Sequence, residues 1–132
     1  MRESVQMAAT RVLLIDDYPD ALEMLGLYLR LQGFDVTTGT DGLQAVELAT
    51  SASPDVIVMD LELPGISGFE AARRIRESPA TSSIPLIAAT GYSHDRQLDE
   101  ARRIGFDAVL VKPCEPSLLV SEIQRILGQS TP

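Results

Sequence analysis

One cysteine, one histidine and no tryptophan occur in the 132 residues. With Cys114 alone, an intramolecular disulfide and a four-thiolate zinc site are both impossible. Lysine is equally scarce: of eleven basic residues only Lys112 is a lysine, and the rest are arginines. Basic charge is short overall, eleven residues against nineteen acidic ones, for a net charge of −8. Such a surface repels phosphate backbones and anionic lipid, so neither nucleic acid nor membrane is expected as a partner. No apolar run approaches the roughly 18 residues of a membrane span, and the first ten residues lack the apolar core of a signal peptide. The expectation is a cytoplasmic chain with a flexible tail over 1–10 and a second over 128–132.

Aromatic residues are only 5% of the chain, yet hydrophobic residues make up 45%. The core must therefore be built from Leu, Ile, Val and Ala, an ordinary globular composition that excludes disorder and collagen-like structure. Against roughly 100–200 residues per domain, the length gives one domain, expected over 11–127, with no second module and no output domain of its own.

Five strand-length apolar runs recur: Val12–Ile15, Phe34–Val36, Val56–Met59, Ile84–Ala89 and Ala108–Val111. The first, third and fifth are continuous rather than alternating, the pattern of strands buried on both faces of a parallel sheet. Helical stripes separate them. Leu22, Leu25, Leu29 and Leu31 form the first, ending before Gly33, and Ala45, Val46, Leu48 and Ala49 form a second over Asp41–Thr50. Ser67 caps a third through Phe69, Ala72 and Ile75, with Arg73, Arg74 and Arg76 expected to turn outward. Leu98, Ala101 and Ile104 mark a fourth stopped by Gly105, and Leu119, Ile123 and Ile126 a fifth stopped by Gly128. This alternation predicts an α/β fold, a (βα)5 doubly wound, five-stranded parallel sheet in the flavodoxin-like order 2-1-3-4-5. Ligands of such sheets bind at the carboxyl ends of the strands, where the connections part to opposite faces.

The residues at those ends are Asp16 and Asp17 after the first strand, Asp60 after the third, Thr90 after the fourth and Lys112 after the fifth. Two unit charges 4 Å apart repel by roughly 4 kcal/mol at an effective dielectric near 20, so three clustered carboxylates demand cations. Lys112 and a divalent ion together supply three positive charges. The ligand candidates are hard oxygens, which favours Mg²⁺ over Zn²⁺. A carboxylate nucleophile, a metal and a lysine form a constellation for handling a phosphoryl group.

The stretches Val12–Asp17, Val56–Gly68, Ile87–Gly91 and Val109–Pro113 together resemble the receiver domain of two-component response regulators, across residues 11 to 127. The resemblance implies a phosphorylation-controlled switch or relay step in signal transduction, not a turnover enzyme on a free substrate. Asp60 would accept the phosphoryl group from a phosphohistidine of a histidine kinase or a histidine phosphotransfer protein. Asp17, Asp60 and the backbone carbonyl of Glu62 would ligate Mg²⁺, with Asp16 reaching it through water. Lys112 and Thr90 would contact the phosphoryl oxygens, and the Lys112–Pro113 bond would be cis. The face formed by the fourth helix, fifth strand and fifth helix, with Arg96, Arg102 and Arg103, is a candidate for downstream contact. Val109 stands where the family often has an aromatic residue. Glu62 and Tyr92 flank the entrance to the site and are expected to set the lifetime of the phosphate.

Simpler roles stand beside these. Asp17 before Tyr18-Pro19 could be a helix N-cap, and Thr90 before Gly91 a turn hydroxyl. Cys114 reads as a packing residue and His94 as a solvated residue at the start of the fourth helix. Two other functions are compatible with the acidic edge: a Mg²⁺-dependent aspartyl-phosphate phosphatase, and a receiver-like scaffold that is never phosphorylated. Neither a phosphate-binding P-loop nor a dinucleotide fingerprint is present.

Overall fold

The computed structural model describes residues 9–91 and 94–129. Five strands alternate with five helices: β1 (Arg11–Ile15), α1 (Pro19–Leu31), β2 (Asp35–Gly39), α2 (Gly42–Ser51), β3 (Val56–Met59), α3 (Gly68–Glu77), β4 (Leu86–Thr90), α4 (Asp95–Ile104), β5 (Ala108–Val111) and α5 (Pro116–Ile126). All four pairings are parallel, and the strand order is β2-β1-β3-β4-β5. This is the doubly wound flavodoxin-like sheet that the alternation predicts.

Successive strand residues point to opposite faces, so each central strand feeds two cores. Leu13, Ile15, Ile57, Met59, Leu86 and Ala88 pack against α2, α3 and α4 through Ala45, Ala49, Ala71, Ala72, Ile75 and Ala101. Val12, Leu14, Val56, Val58, Ile87 and Ala89 face α1 and α5 through Leu29, Leu119 and Ile123. Small alanines on α2 and α3 let these helices lie close to the sheet.

Three expectations need correction. The second strand runs to Gly39 rather than stopping at Val36, because Thr37 and Thr38, β-branched but polar, continue the ladder with Leu13 and Leu14 at the sheet's edge. The fifth strand is not buried on both faces: Ala108, Val109 and Leu110 are half-buried and Val111 exposed. It is the other edge of the sheet, and solvent reaches its outer side. Arg76 does not turn outward. Its guanidinium donates to the carbonyls of Ile84 at 2.7 Å, Ser82 at 3.0 Å and Gly105 at 2.7 Å, clamping the end of α4 to the start of β4. Gly105, with φ at 124°, ends α4 as expected, and a Cβ there would meet Arg76 Nε.

Candidate functional site

The acidic edge forms because the sheet ladder runs one residue past two strands. Asp16 N–H donates to Gly39 O at 3.2 Å and Asp60 N–H to Ile15 O at 3.0 Å, which fixes the two backbones side by side. Each carboxylate is then held in the same manner. Asp16 Oδ1 accepts the Tyr18 N–H at 2.9 Å, and Asp60 Oδ1 accepts the Glu62 N–H at 3.0 Å. Both are turns of the aspartate onto the amide two residues on. The remaining Oδ2 atoms face Lys112, whose Nζ lies 2.6 Å from that of Asp16 and 2.9 Å from that of Asp60.

Asp16 and Asp60 are buried, at 7% and 8% exposure, and Thr90 is completely so. Lys112 reaches them from the end of β5, where its N–H donates to Thr90 O at 2.7 Å and its bond to Pro113 is cis, as expected. Burial opposes the charge on Lys112, but hydrogen bonds to Asp16 and then Asp60 outweigh it and hold the ammonium above the usual lysine range. The base therefore stays a cation throughout the physiological range.

Asp17 is exposed beside this buried pair, and one oxygen from each of Asp16, Asp17 and Asp60 lies within 4.8 Å of the others. Oxygens opposite one another on a magnesium ion are about 4.2 Å apart, so the three are near enough to share one ion after a small closing movement. Three hard, anionic oxygens open to solvent on one side fit a magnesium ion that keeps several waters. Asp17 is not the cap of α1: the N-cap position is Tyr18, and no side chain caps the helix.

Two glycines give the loop after β3 its path. A Cβ on Gly68 would collide with Asp60 O and lie 2.7 Å from Leu61 Cα, so only a glycine lets α3 begin this close to Asp60. A Cβ on Gly42 would lie 2.5 Å from Ile66 O, so the start of α2 is equally committed to the same loop. The sequence offered Ser67 as the cap, which holds through a 3.1 Å bond from Glu70 N–H. The tight approach of Gly68 was missed, since a glycine after a cap looks like any other helix start.

The Glu62 side chain extends toward the loop after β4, where a Cβ on Gly91 would lie 3.9 Å from its Oε1. Tyr92 lies outside the described residues. Val109 is half-buried and packs against the core on the α4 side. His94 occupies the N-cap position of α4 without a side-chain capping bond. Cys114 is half-buried in the connection before α5, and burial pushes its thiol above the usual range against the pull of Lys112. Such a thiol is a poor nucleophile. No helix among the described residues is long and apolar enough to cross a membrane.

Comparison with known proteins covers the stretch of chain that carries this site. The model of the response regulator receiver domain family matches residues 12–124. Protein PilH of Pseudomonas aeruginosa is 34% identical over 118 residues, which cover 89% of this chain and 98% of PilH. The DNA-binding dual master transcriptional regulator RpaA of Synechocystis sp. is 30% identical over 120 residues, 91% of this chain but 50% of RpaA. Among solved structures, the receiver domain of the sensor histidine kinase PA1611 from Pseudomonas aeruginosa PAO1 has a magnesium ion coordinated in its active site cleft. It aligns with a TM-score of 0.85 and 32% identity, covering 92% of this chain and 100% of that one.

Proposed function

The chain belongs to the response regulator receiver family, and on that premise we propose that Asp60 is the residue that takes the phosphoryl group. It is a phosphoacceptor domain of two-component signalling, a switch rather than an enzyme of ordinary turnover, and receiver domains of this kind work with histidine kinases or phosphotransfer proteins. The observation that carries the assignment to Asp60 is its place at the end of the central strand β3, between the aspartates that follow β1 and Thr90 at the end of β4. Its Oδ1 is tied to the Glu62 amide, and its Oδ2 lies 2.9 Å from the Lys112 ammonium.

In the proposed step Asp60 Oδ2 forms a bond to phosphorus as the P–N bond of a phosphohistidine breaks, and the imidazole leaves with the electron pair. Mg²⁺, when bound, neutralises charge on the transferring group. Asp17, Asp60 and the Glu62 carbonyl would hold it, with Asp16 reaching it through water. Lys112 gives up its bond to Asp60 and follows the charge onto a phosphoryl oxygen. Thr90 donates to another, and the loop after β4 moves with it. The equilibrium between two arrangements of this loop and α4 is thereby biased, and the signal leaves by protein contact. The face of α4, β5 and α5, where Arg96, Arg102 and Arg103 are exposed, is the proposed site of that contact. Onward transfer to a phosphotransfer protein is the other exit. Glu62 sets how fast water reaches the acyl phosphate, and the setting is the cytoplasm.

Borohydride reduction of the phosphorylated chain converts an aspartyl phosphate to homoserine, and peptide mapping then finds the residue. Homoserine at position 60 supports the assignment; homoserine at 16 or 17 overturns it.

A further inference from the structure

The loop between β3 and α3 carries the Glu62 carbonyl, yet little of its own bonding places it. Its two ends are tied: Glu62 N–H donates to Asp60 Oδ1 at 3.0 Å, and Gly68 N–H to Leu61 O at 2.9 Å. Between them, among the described residues, Leu63, Gly65 and Ile66 donate no backbone hydrogen bond. What meets the loop instead is the first turn of α2. A Cβ on Gly42 would lie 2.5 Å from both Ile66 O and Ile66 Cγ1, where ordinary contact begins at 3.4 Å. The Ile66 side chain is half-buried and packs against the core that holds Ala45 and Ala49 of the same helix.

Of the two surfaces in contact, α2 is the stiffer. Gln44 Oε1 accepts the Thr40 N–H at 2.7 Å, and Gln44 N–H donates to Asp41 Oδ1 at 2.8 Å, so the turn that enters the helix is closed from both sides. Gly39 O, one residue earlier, accepts the Asp16 N–H at 3.2 Å. Ala45 is completely buried and seats the turn on the core. The amino end of α2 is thus fastened to the strand end that carries Asp16 and abuts the loop that carries Glu62, although none of its side chains enters the site.

We propose that Gly42 is a positioning residue for the magnesium site: the first turn of α2 is the stop that sets where the Glu62 carbonyl stands relative to the aspartates. The inference rests on the metal ligands assigned under the proposed function. A methyl group at position 42 points into Ile66 O, and the loop, with few bonds of its own, gives way by about 1 Å. Magnesium demands near-ideal octahedral geometry, so a ligand moved that far is weakened or lost. Disturbing the groups that support a ligand typically costs roughly 10–100-fold in metal affinity.

Titration calorimetry of Mg²⁺ into the metal-free full chain tests this. Gly42→Ala should raise the Mg²⁺ Kd about tenfold. Ala49→Gly, in the last turn of the same helix, is the control for stability alone: its melting temperature should fall while its Kd stays within about twofold of the parent. Circular dichroism checks that each variant is folded. If Gly42→Ala is not, Ile66→Ala decides in its place, since it removes the packing of the loop without a clash and should raise the Kd about threefold. An unchanged Kd in the deciding variant, or an equal rise in Ala49→Gly, overturns the proposal. Asp17→Asn separates that failure from a failure of the assigned ligands: if it still weakens Mg²⁺, only the role of Gly42 falls, and if it does not, the ligand assignment falls as well.

Discussion

Asp16 and Asp60 are held alike: each spends Oδ1 on the amide two residues on and Oδ2 on Lys112 Nζ, at 2.6 and 2.9 Å. One ammonium thus balances two buried carboxylates, and Asp17 is left over as an exposed third. The site is held together by charge compensation, so its parts can be separated by changing one charge at a time.

Lys112→Ala removes the only cation that, among the described residues, is bonded to the pair. Its side chain is 33% exposed, so solvent screens part of the loss, and a cost of about 1–3 kcal/mol is expected. The melting temperature without metal should fall by about 3–15 °C and recover substantially in excess Mg²⁺, while phosphorylation falls at least tenfold. Calorimetry with and without Mg²⁺ checks this; an equal deficit in both conditions would mean that the lysine and the ion do not share the same charges.

Asp17→Asn should behave in the opposite way. The carboxylate is exposed and caps nothing, so metal-free stability should change by no more than about 0.5 kcal/mol. Mg²⁺ affinity, read by titration calorimetry, should drop about tenfold or more. A stability loss with unchanged affinity would return Asp17 to a purely structural role.

For Gly68→Ala, helix propensity and packing disagree in sign. Alanine is favoured over glycine inside a helix by about 1 kcal/mol, but here its Cβ collides with the Asp60 carbonyl. Overpacking against backbone costs about 1–3 kcal/mol, so the variant should be less stable in urea and a poorer phosphoacceptor. A more stable variant would show that α3 can back away from Asp60 freely.

Glu62 extends toward the loop after β4, and the proposed function gives its negative charge control over the water that hydrolyses the acyl phosphate. Glu62→Ala together with Tyr92→Ala should change the half-life of the phosphorylated chain several-fold, measured by loss of adduct after donor removal. Identical decay in the variant and the parent would remove both residues from control of lifetime.

Much of this was legible in the chain because each apolar run ends in a polar residue, and a parallel sheet brings those ends together. Asp16, Asp17, Asp60, Thr90 and Lys112 were found by that rule, and the structure gathers all five at one edge. What escaped was non-local. Arg76 looks like a surface cation in a helical wheel, and only the fold places Ile84 and Gly105 carbonyls within its reach. Gly68 and Gly42 owe their identity to backbone from another segment. Thr37 and Thr38 carry no hydrophobic signal, so the edge strand seemed to end too soon.

The measurement that bears most directly on the central claim is intact mass after incubation with a small acyl-phosphate donor and Mg²⁺, beside Asp60→Asn and a metal-free control. A single phosphoryl adduct that disappears in both controls is the predicted result. An adduct that survives Asp60→Asn, or one that forms equally well without metal, would contradict the account.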